Sequence, residues 1–355
     1  MKLLIDIGHP AHVHYFRNAA THFIAGGHKV LFTTRDKEVA IALLNFYRFD
    51  YVNFGRPYKT ITGKMLGLLL FNYKLLQVAI KFKPDILLSA GSIYAAHVSF
   101  LIRRHHITLE DTFNMEQVRL YLPFTSAVLT GACEHISLGS KEIRYDSYQE
   151  MAYLHPKYFT PDRKILDELG IQKNEAFFIL RFVSWNASHD AGHGGLNMEQ
   201  KRELIGLLST YGKVFISSEK SLDPEFEKYR YPLSPNKMHD ALAFADLFIG
   251  EGATMASECV MLGTPAIYVN SIVTHTINEQ EKYGLIWHYR CGDGVLAKTM
   301  ELLADQQLKV KSQMGHKNLL SEKIDLTAFL IWFIENWPES CKIAKNNPAI
   351  QERFK

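Results

Sequence analysis

The sequence predicts a two-domain α/β protein, each domain a parallel sheet wound on both faces by helices. Three observations lead there. The chain has 355 residues, more than one ordinary core accommodates. Short apolar runs of strand length alternate with helical patterns through most of it. The alternation breaks between about Leu138 and Asn174, where tyrosines, His155-Pro156, Thr160-Pro161 and charges replace it, and then it restarts. The boundaries that follow are 1–160 for the first domain, 161–325 for the second, and 326–355 for a helical tail that can pack back on the first.

Each element has its own reason. Lys2–Ile7 is a buried strand, and from about Val13 to Ala25 apolar residues recur at helical spacing until Gly26-Gly27 supplies a left-handed stop. His28–Thr33, Asp85–Ser89 and Ile107–Leu109 continue the strands of the first sheet. In the second domain the strands are Ala176–Val183, Lys213–Ser217, Leu247–Ile249 and Ala266–Val269, separated by helices Met198–Tyr211, Met238–Phe244 and Met255–Leu262. A last helix, Leu326–Asn336, carries Phe329, Trp332 and Phe333 and stops before Pro338.

Composition narrows the function. With 47% hydrophobic and 22% charged residues the chain is globular, not disordered, and a formal charge of +3 excludes a general nucleic-acid binder. The four cysteines form no CxxC pair, which points to reduced thiols and a cytoplasmic setting. The N-terminus reaches Asp6 and Gly8 too soon for a signal peptide, and no window holds ~18 uninterrupted apolar residues. The basic, apolar stretch Arg56–Lys83 suits a helix packed on the first sheet. It could also lie on an anionic membrane surface, as a peripheral contact with the inner face, although packing on the sheet is the preferred reading.

In open parallel sheets ligands sit beyond the carboxyl ends of the strands, so with two such sheets a site between them is expected. The segment Gly250-Glu251-Gly252-Ala253-Thr254-Met255-Ala256-Ser257-Glu258 combines a strand end, a glycine turn and a helix start. Unsatisfied N–H groups at such a start suit a diphosphate, and Glu258, one turn below Thr254, suits ribose hydroxyls. The same residues also read as a plain strand–helix turn in which Thr254 caps and Glu258 is solvated. After Ala176–Val183 come Ser184, His189, Asp190 and His193 in a small, polar loop. It can wrap phosphates, whereas a metal would need a fourth ligand that is not evident. The first loop holds His9, His12 and His14. Histidine is the side chain best suited to act as a base near neutral pH, and a helix start keeps a neighbouring imidazole neutral. His22, His28, His97, His105 and His106 read as surface or helix residues. Neither a GxGxxG fingerprint nor a Walker A loop is present.

These residues together resemble GT-B glycosyltransferases. Similar members are the N-acetylglucosaminyltransferase that makes lipid II and the UDP-N-acetylglucosamine 2-epimerases. The chain most resembles a poorly characterised bacterial and archaeal group of predicted glycosyltransferases in that superfamily. Ala11-His12-Val13 stands where the lipid II enzyme has Gly-His-Val, and the resemblance therefore implies His12 as catalytic base. Gly252–Glu258 followed by Leu262-Gly263-Thr264-Pro265 is similar to the nucleotide signature. This implies donor contacts from Ser184, Gly252, Ala253, Thr254, Met255 and Glu258, and from Asn278, Glu279 and Gln280 toward the sugar. The uracil falls near Ser234-Pro235-Asn236. Gly8, His9, His14, Ser89, Gly91, Ser92, Glu110 and Asp111, at strand ends of the first domain, are candidates for the acceptor side. The implied activity is metal-independent, inverting transfer from a UDP-sugar to a polysaccharide or lipid-linked acceptor, with no cofactor beyond that donor. The alternatives are an epimerase-like isomerase or hydrolase, served by Glu110, Glu251 and Glu279, and a non-catalytic nucleotide-sugar-binding protein.

Overall fold

The computed structural model describes residues 1–36, 38–56, 58, 61–182, 195–218 and 221–355. The chain divides into two units, Met1–Tyr153 together with Lys323–Lys355, and Leu154–Glu322.

In the first unit, strand β1 (Lys2–Ile7) buries five consecutive side chains, as a strand covered on both faces must. Helix α1 (Pro10–Ala25) follows, then β2 (Lys29–Thr34), α2 (Glu38–Phe46), β3 (Tyr51–Asn53) and the long α3 (Ile61–Phe82). Next come β4 (Ile86–Ala90), α4 (Ile93–Leu101), β5 (His105–Glu110), α5 (Met115–Tyr121), β6 (Ala127–Gly131) and β7 (Glu142–Tyr145). All seven strands are parallel, in the order β3-β2-β1-β4-β5-β6-β7. The order reverses between β1 and β4, so the loops leaving those two strands flank the switch point. The core beneath α3 and α4 is Leu4, Phe71, Leu75, Leu87 and Val98.

Short helices α6 (Met151–Leu154) and α7 (Lys164–Glu168) lie in the connection to β8 (Ala176–Phe182). The second unit continues with α8 (Met198–Tyr211), β9 (Gly212–Ser218), α9 (Met238–Phe244), β10 (Leu247–Gly250), α10 (Ala253–Leu262) and β11 (Ala266–Val269). It ends with α11 (His275–Gln280), β12 (Ile286–Tyr289), α12 (Val295–Ala304) and α13 (Leu308–Glu322). The five strands are parallel in the order β12-β11-β10-β8-β9, reversing between β8 and β10. Phe178, Leu180, Leu204, Leu208, Ile249 and Val295 form the core under α8 and α12.

The tail returns to the first unit as α14 (Leu326–Glu335) and α15 (Glu339–Asn346). Asp325 caps α14 by accepting from the Ala328 N–H, and the Thr327 hydroxyl donates to the carbonyl of Ala152. Phe329, Leu330, Phe333 and Ile334 are buried as α14 packs on α1.

Two features differ from the sequence reading. α1 begins three residues earlier than expected, because Pro10 occupies a first-turn position that needs no N–H and His9 caps it. The first-loop histidines His12 and His14 are therefore helical. β7 falls inside the stretch read as a linker. Its four residues alternate in burial at the sheet edge, too short a pattern to stand out from the surrounding tyrosines.

Candidate functional site

In the second unit the switch point falls at the end of β10, and there the chain turns through Glu251-Gly252 into α10. Gly250 must be glycine, since a Cβ would lie 2.5 Å from Phe248 and 2.8 Å from Arg181. Gly252 occupies the N-cap position of α10 and has no side chain with which to cap it. Helices α4, α5, α8, α11 and α14 each receive a side-chain cap from their N-cap residue, whereas α7, α9, α12 and α15, like α10, do not. The Ala253, Thr254 and Met255 N–H groups therefore lie at the positive end of a ten-residue helix whose N-cap residue offers them no side chain, and Thr254 is exposed. At the other end, left-handed Gly263 (φ 76°) closes α10, and His316 Nε2 lies 2.8 Å from the Met261 carbonyl oxygen.

Glu258 sits one turn into α10 and is buried. Its Oε1 lies 3.0 Å from Nε2 of His239 on α9, which packs against α10. No sequence pattern marks this histidine, because only the packing of α9 on α10 brings it to Glu258. Ser234 and Pro235, exposed before α9, precede it by a few residues. Asn278 is exposed and Glu279 half-buried on α11, the latter 3.1 Å from Lys282. Gln280 departs from its assignment as a sugar contact. It is 0% exposed and donates from Nε2 to Ser257 Oγ at 2.7 Å, tethering α11 to α10. Glu251 is also committed to structure, its Oε1 accepting from the Leu196 N–H at 2.9 Å. Ser184, His189, Asp190 and His193 lie outside the described residues. A small hollow lined by Gln200, Glu203, Gly292 and Asp293 contains none of the assigned residues.

In the first unit the strand ends carry a denser network. Register sets Asp6 beside Thr33 and Ser89. Its buried carboxylate accepts from Thr33 Oγ1, from Ser92 Oγ and, bidentately, from Arg35 at 3.1 and 2.9 Å. Arg35 also donates to the carbonyl of Ile7 and lies over the Tyr94 ring. This buried pair fixes the loops after β1 and β4. Ser92 caps α4, and Gly91 takes a left-handed conformation (φ 62°). Ser89 is wholly buried and bonded to His106 Nε2 and Thr108. His106 is no surface residue. It is enclosed in β5 between Ser89 and Thr125, and burial pushes its pKa down to about 3.

Glu110 also departs from its assignment. Its Oε1 accepts from the Thr112 and Phe113 N–H groups and its Oε2 from the Tyr121 hydroxyl, so it shapes a turn. His14 turns inward, stacked on Tyr153 at 5.1 Å and near Arg17. Three further candidates lie at this edge, namely His9, His12 and Asp111. Burial, together with repulsion from Glu110, raises the Asp111 carboxyl to about 6, although the Tyr15 hydroxyl donates to it at 3.1 Å. Tyr15 stacks on His12 at 5.8 Å. His9 Nδ1 accepts from the Ala11 N–H, and His12 Nδ1 accepts from the Gly8 N–H at 3.2 Å. A neutral His12 in this geometry carries its proton on Nε2. Among the described residues, no three His, Cys, Asp or Glu side chains gather as a metal site.

Two parallel sheets, each wound by helices, with an open helix start at the switch point of the second, define a GT-B fold. The chain belongs to the family described as protein of unknown function (DUF354), whose model matches residues 1–325. An uncharacterized protein of Methanocaldococcus jannaschii is 25% identical over 279 residues, covering 75% of this chain and 81% of that one. Among solved structures, S. aureus MnaA with UDP aligns at a TM-score of 0.69 and 14% identity, over 96% of this chain and 97% of that one. The UDP-GlcNAc 2-epimerase of Neisseria meningitidis, bound to UDP-GlcNAc, aligns at 0.67 and 12%, over 95% and 100%. The spinosyn rhamnosyltransferase SpnG, complexed with thymidine diphosphate, aligns at 0.62 and 12%, over 95% and 100%. At these identities the likeness establishes the fold.

Proposed function

We propose that the chain is a glycosyltransferase that takes a sugar from a UDP-sugar and delivers it to a glycan or lipid-linked acceptor, with inversion and without a metal. The observation that carries this reading is the uncapped start of α10 at the switch point of the second sheet, one turn above the His239–Glu258 pair. The N–H groups of Ala253, Thr254 and Met255 would hold the diphosphate and stabilise the charge that grows on it as the glycosidic bond breaks. Glu258, oriented by His239, would accept from the ribose hydroxyls. Asn278 and Glu279 would meet the sugar, with Gln280 fixing their helix. Fold neighbours crystallised with UDP, UDP-GlcNAc and thymidine diphosphate support a nucleotide-sugar ligand.

For the acceptor half, with Nδ1 of His12 engaged by the Gly8 N–H, we place the base role on Asp111. A carboxyl titrating at about 6 is ionised at neutral pH yet basic enough to take a hydroxyl proton. His12, through Nε2–H, would position the acceptor oxygen, with His9, Gly8, Gly91 and Ser92 shaping the pocket edge. The hydroxyl then attacks the anomeric carbon on the face opposite UDP.

The same titrating carboxyl also favours a second reading, an epimerase-like isomerase or hydrolase, because proton shuffling on a sugar needs such a group. Incubation with UDP-GlcNAc, followed by proton NMR, separates the two. Transfer predicts UDP release only when an acceptor extract is added. An epimer or free sugar without acceptor would replace transfer by the second reading, and no turnover under either condition would leave a binding protein.

A further inference from the structure

The long helix α3 covers the first sheet with Phe71, Leu75 and Ala79, which are buried against Leu4 and Leu87. A helix in that role normally turns a polar face to water. α8, which covers the second sheet, obeys this rule, exposing Glu199, Arg202, Glu203, Ser209 and Thr210. α3 does not. Its outer face carries Leu66 (67% exposed), Leu69 (69%), Leu70, Tyr73 (57%) and Ile80 (61%), at spacings that form one continuous stripe interrupted by Gln77. Alongside it, α4 ends in two more exposed apolar side chains, Phe100 and Leu101, and runs into exposed Arg103 and Arg104.

Charge along the same segment has a single sign. Between residues 51 and 84 the sequence holds Arg56, Lys59, Lys64, Lys74, Lys81 and Lys83, with no carboxylate. Lys81 and Lys83 are exposed at the end of the stripe, and Lys74 is tied to the Phe54 carbonyl. An apolar stripe flanked by cations is the pattern of a helix lying in the headgroup region of an anionic bilayer. A second copy of the chain fits poorly, because joining two such faces would set uniformly basic surfaces against each other. No helix among the described residues is long and apolar enough to cross a membrane, so the contact is with the surface.

We propose that the outer face of α3, continued by the end of α4, docks this protein on an anionic lipid surface. This inference does not depend on the transferase reading, and its test contains no nucleotide sugar. The intact chain is sedimented with vesicles of phosphatidylcholine, and with vesicles of phosphatidylcholine and phosphatidylglycerol in equal parts. It is expected to bind the mixed vesicles at low salt and to be released as salt rises. The Leu69→Glu/Ile80→Glu variant is expected to lose at least tenfold in partitioning, and Lys81→Glu/Lys83→Glu to lose the preference for the anionic lipid. Both variants replace exposed side chains and should keep the parent's circular dichroism and melting temperature. Failure of the intact chain to bind either vesicle, or undiminished binding by Leu69→Glu/Ile80→Glu, would overturn the proposal. So would self-association in sedimentation equilibrium that the same variant abolishes while vesicle binding is absent. In that case the stripe belongs to a second copy.

Discussion

As the proposed base, Asp111 would serve reactivity at the expense of stability. Its folded pKa of about 6 lies above the ordinary 3.8. Below 3.8 both folded and unfolded chains hold the proton and nothing is lost. As pH rises from 3.8 to about 6 the unfolded chain ionises first, and stability falls until the folded group has also titrated. The shift corresponds to up to about 3 kcal/mol at neutral pH, at 1.36 kcal/mol per unit. Asp111→Asn should therefore raise the urea midpoint at pH 7 and leave it unchanged near pH 3.5. The same variant should slow acceptor-dependent transfer by at least ~10²-fold, the usual loss of a general base. A stabilised variant with full activity would remove Asp111 from the chemistry. The residue scale is also where sequence reading reached least far. It named Asp111, His12 and Glu258 but could not see Arg35 beneath Asp6 or His239 beside Glu258. It also left Glu110 and Gln280 open to substrate, although the Glu110 carboxylate is taken up by internal hydrogen bonds and Gln280 is wholly buried with its Nε2 on Ser257. These partners of Asp6, Glu258 and Gln280 come from elements about twenty to thirty residues away in the chain, and no local pattern records them.

Among the elements, α10 carries the donor claim. An added acid at its first turn interacts favourably with the helix dipole but unfavourably with a bound diphosphate. Thr254→Asp should thus stabilise the fold slightly, by about 0.3–1 kcal/mol, while weakening UDP binding by roughly tenfold or more. Thermal melting and calorimetry on the same sample would check both signs. Parallel gains in stability and affinity would show that the diphosphate binds elsewhere. Elements with strong periodicity were legible to the residue: α8, α9 and β11 begin and end where the sequence pattern does. β3, β6, β7 and β12 were not; β3, β7 and β12 are three or four residues long at sheet edges, where partial burial blurs the apolar run, whereas β6 is a buried five-residue run that the reading passed over. α1 was misplaced at its start because a histidine cap followed by proline is an uncommon signal.

For the whole molecule, the chain's path makes the two units unequal. The second is one continuous segment, whereas the first needs residues 323–355 to complete it. Removing that tail exposes the faces against which Phe329, Leu330, Phe333 and Ile334 are buried. At about 1.5–3 kcal/mol each, the loss rivals the total stability of a typical domain. A chain ending at Glu322 should lose amide-exchange protection in the first sheet, while the second keeps its protection and its UDP binding. Uniform loss would mean that the two units are not separable. The most direct measurement of the central claim is calorimetric titration of UDP into the intact chain and into its Glu258→Ala and Glu258→Gln variants. The intact chain should bind UDP. Glu258→Ala should bind it about 1.5–3 kcal/mol more weakly, and Glu258→Gln, which keeps an acceptor for His239, should remain folded and also bind more weakly. No binding by the intact chain, or equal affinity in all three, would contradict a donor site at the start of α10.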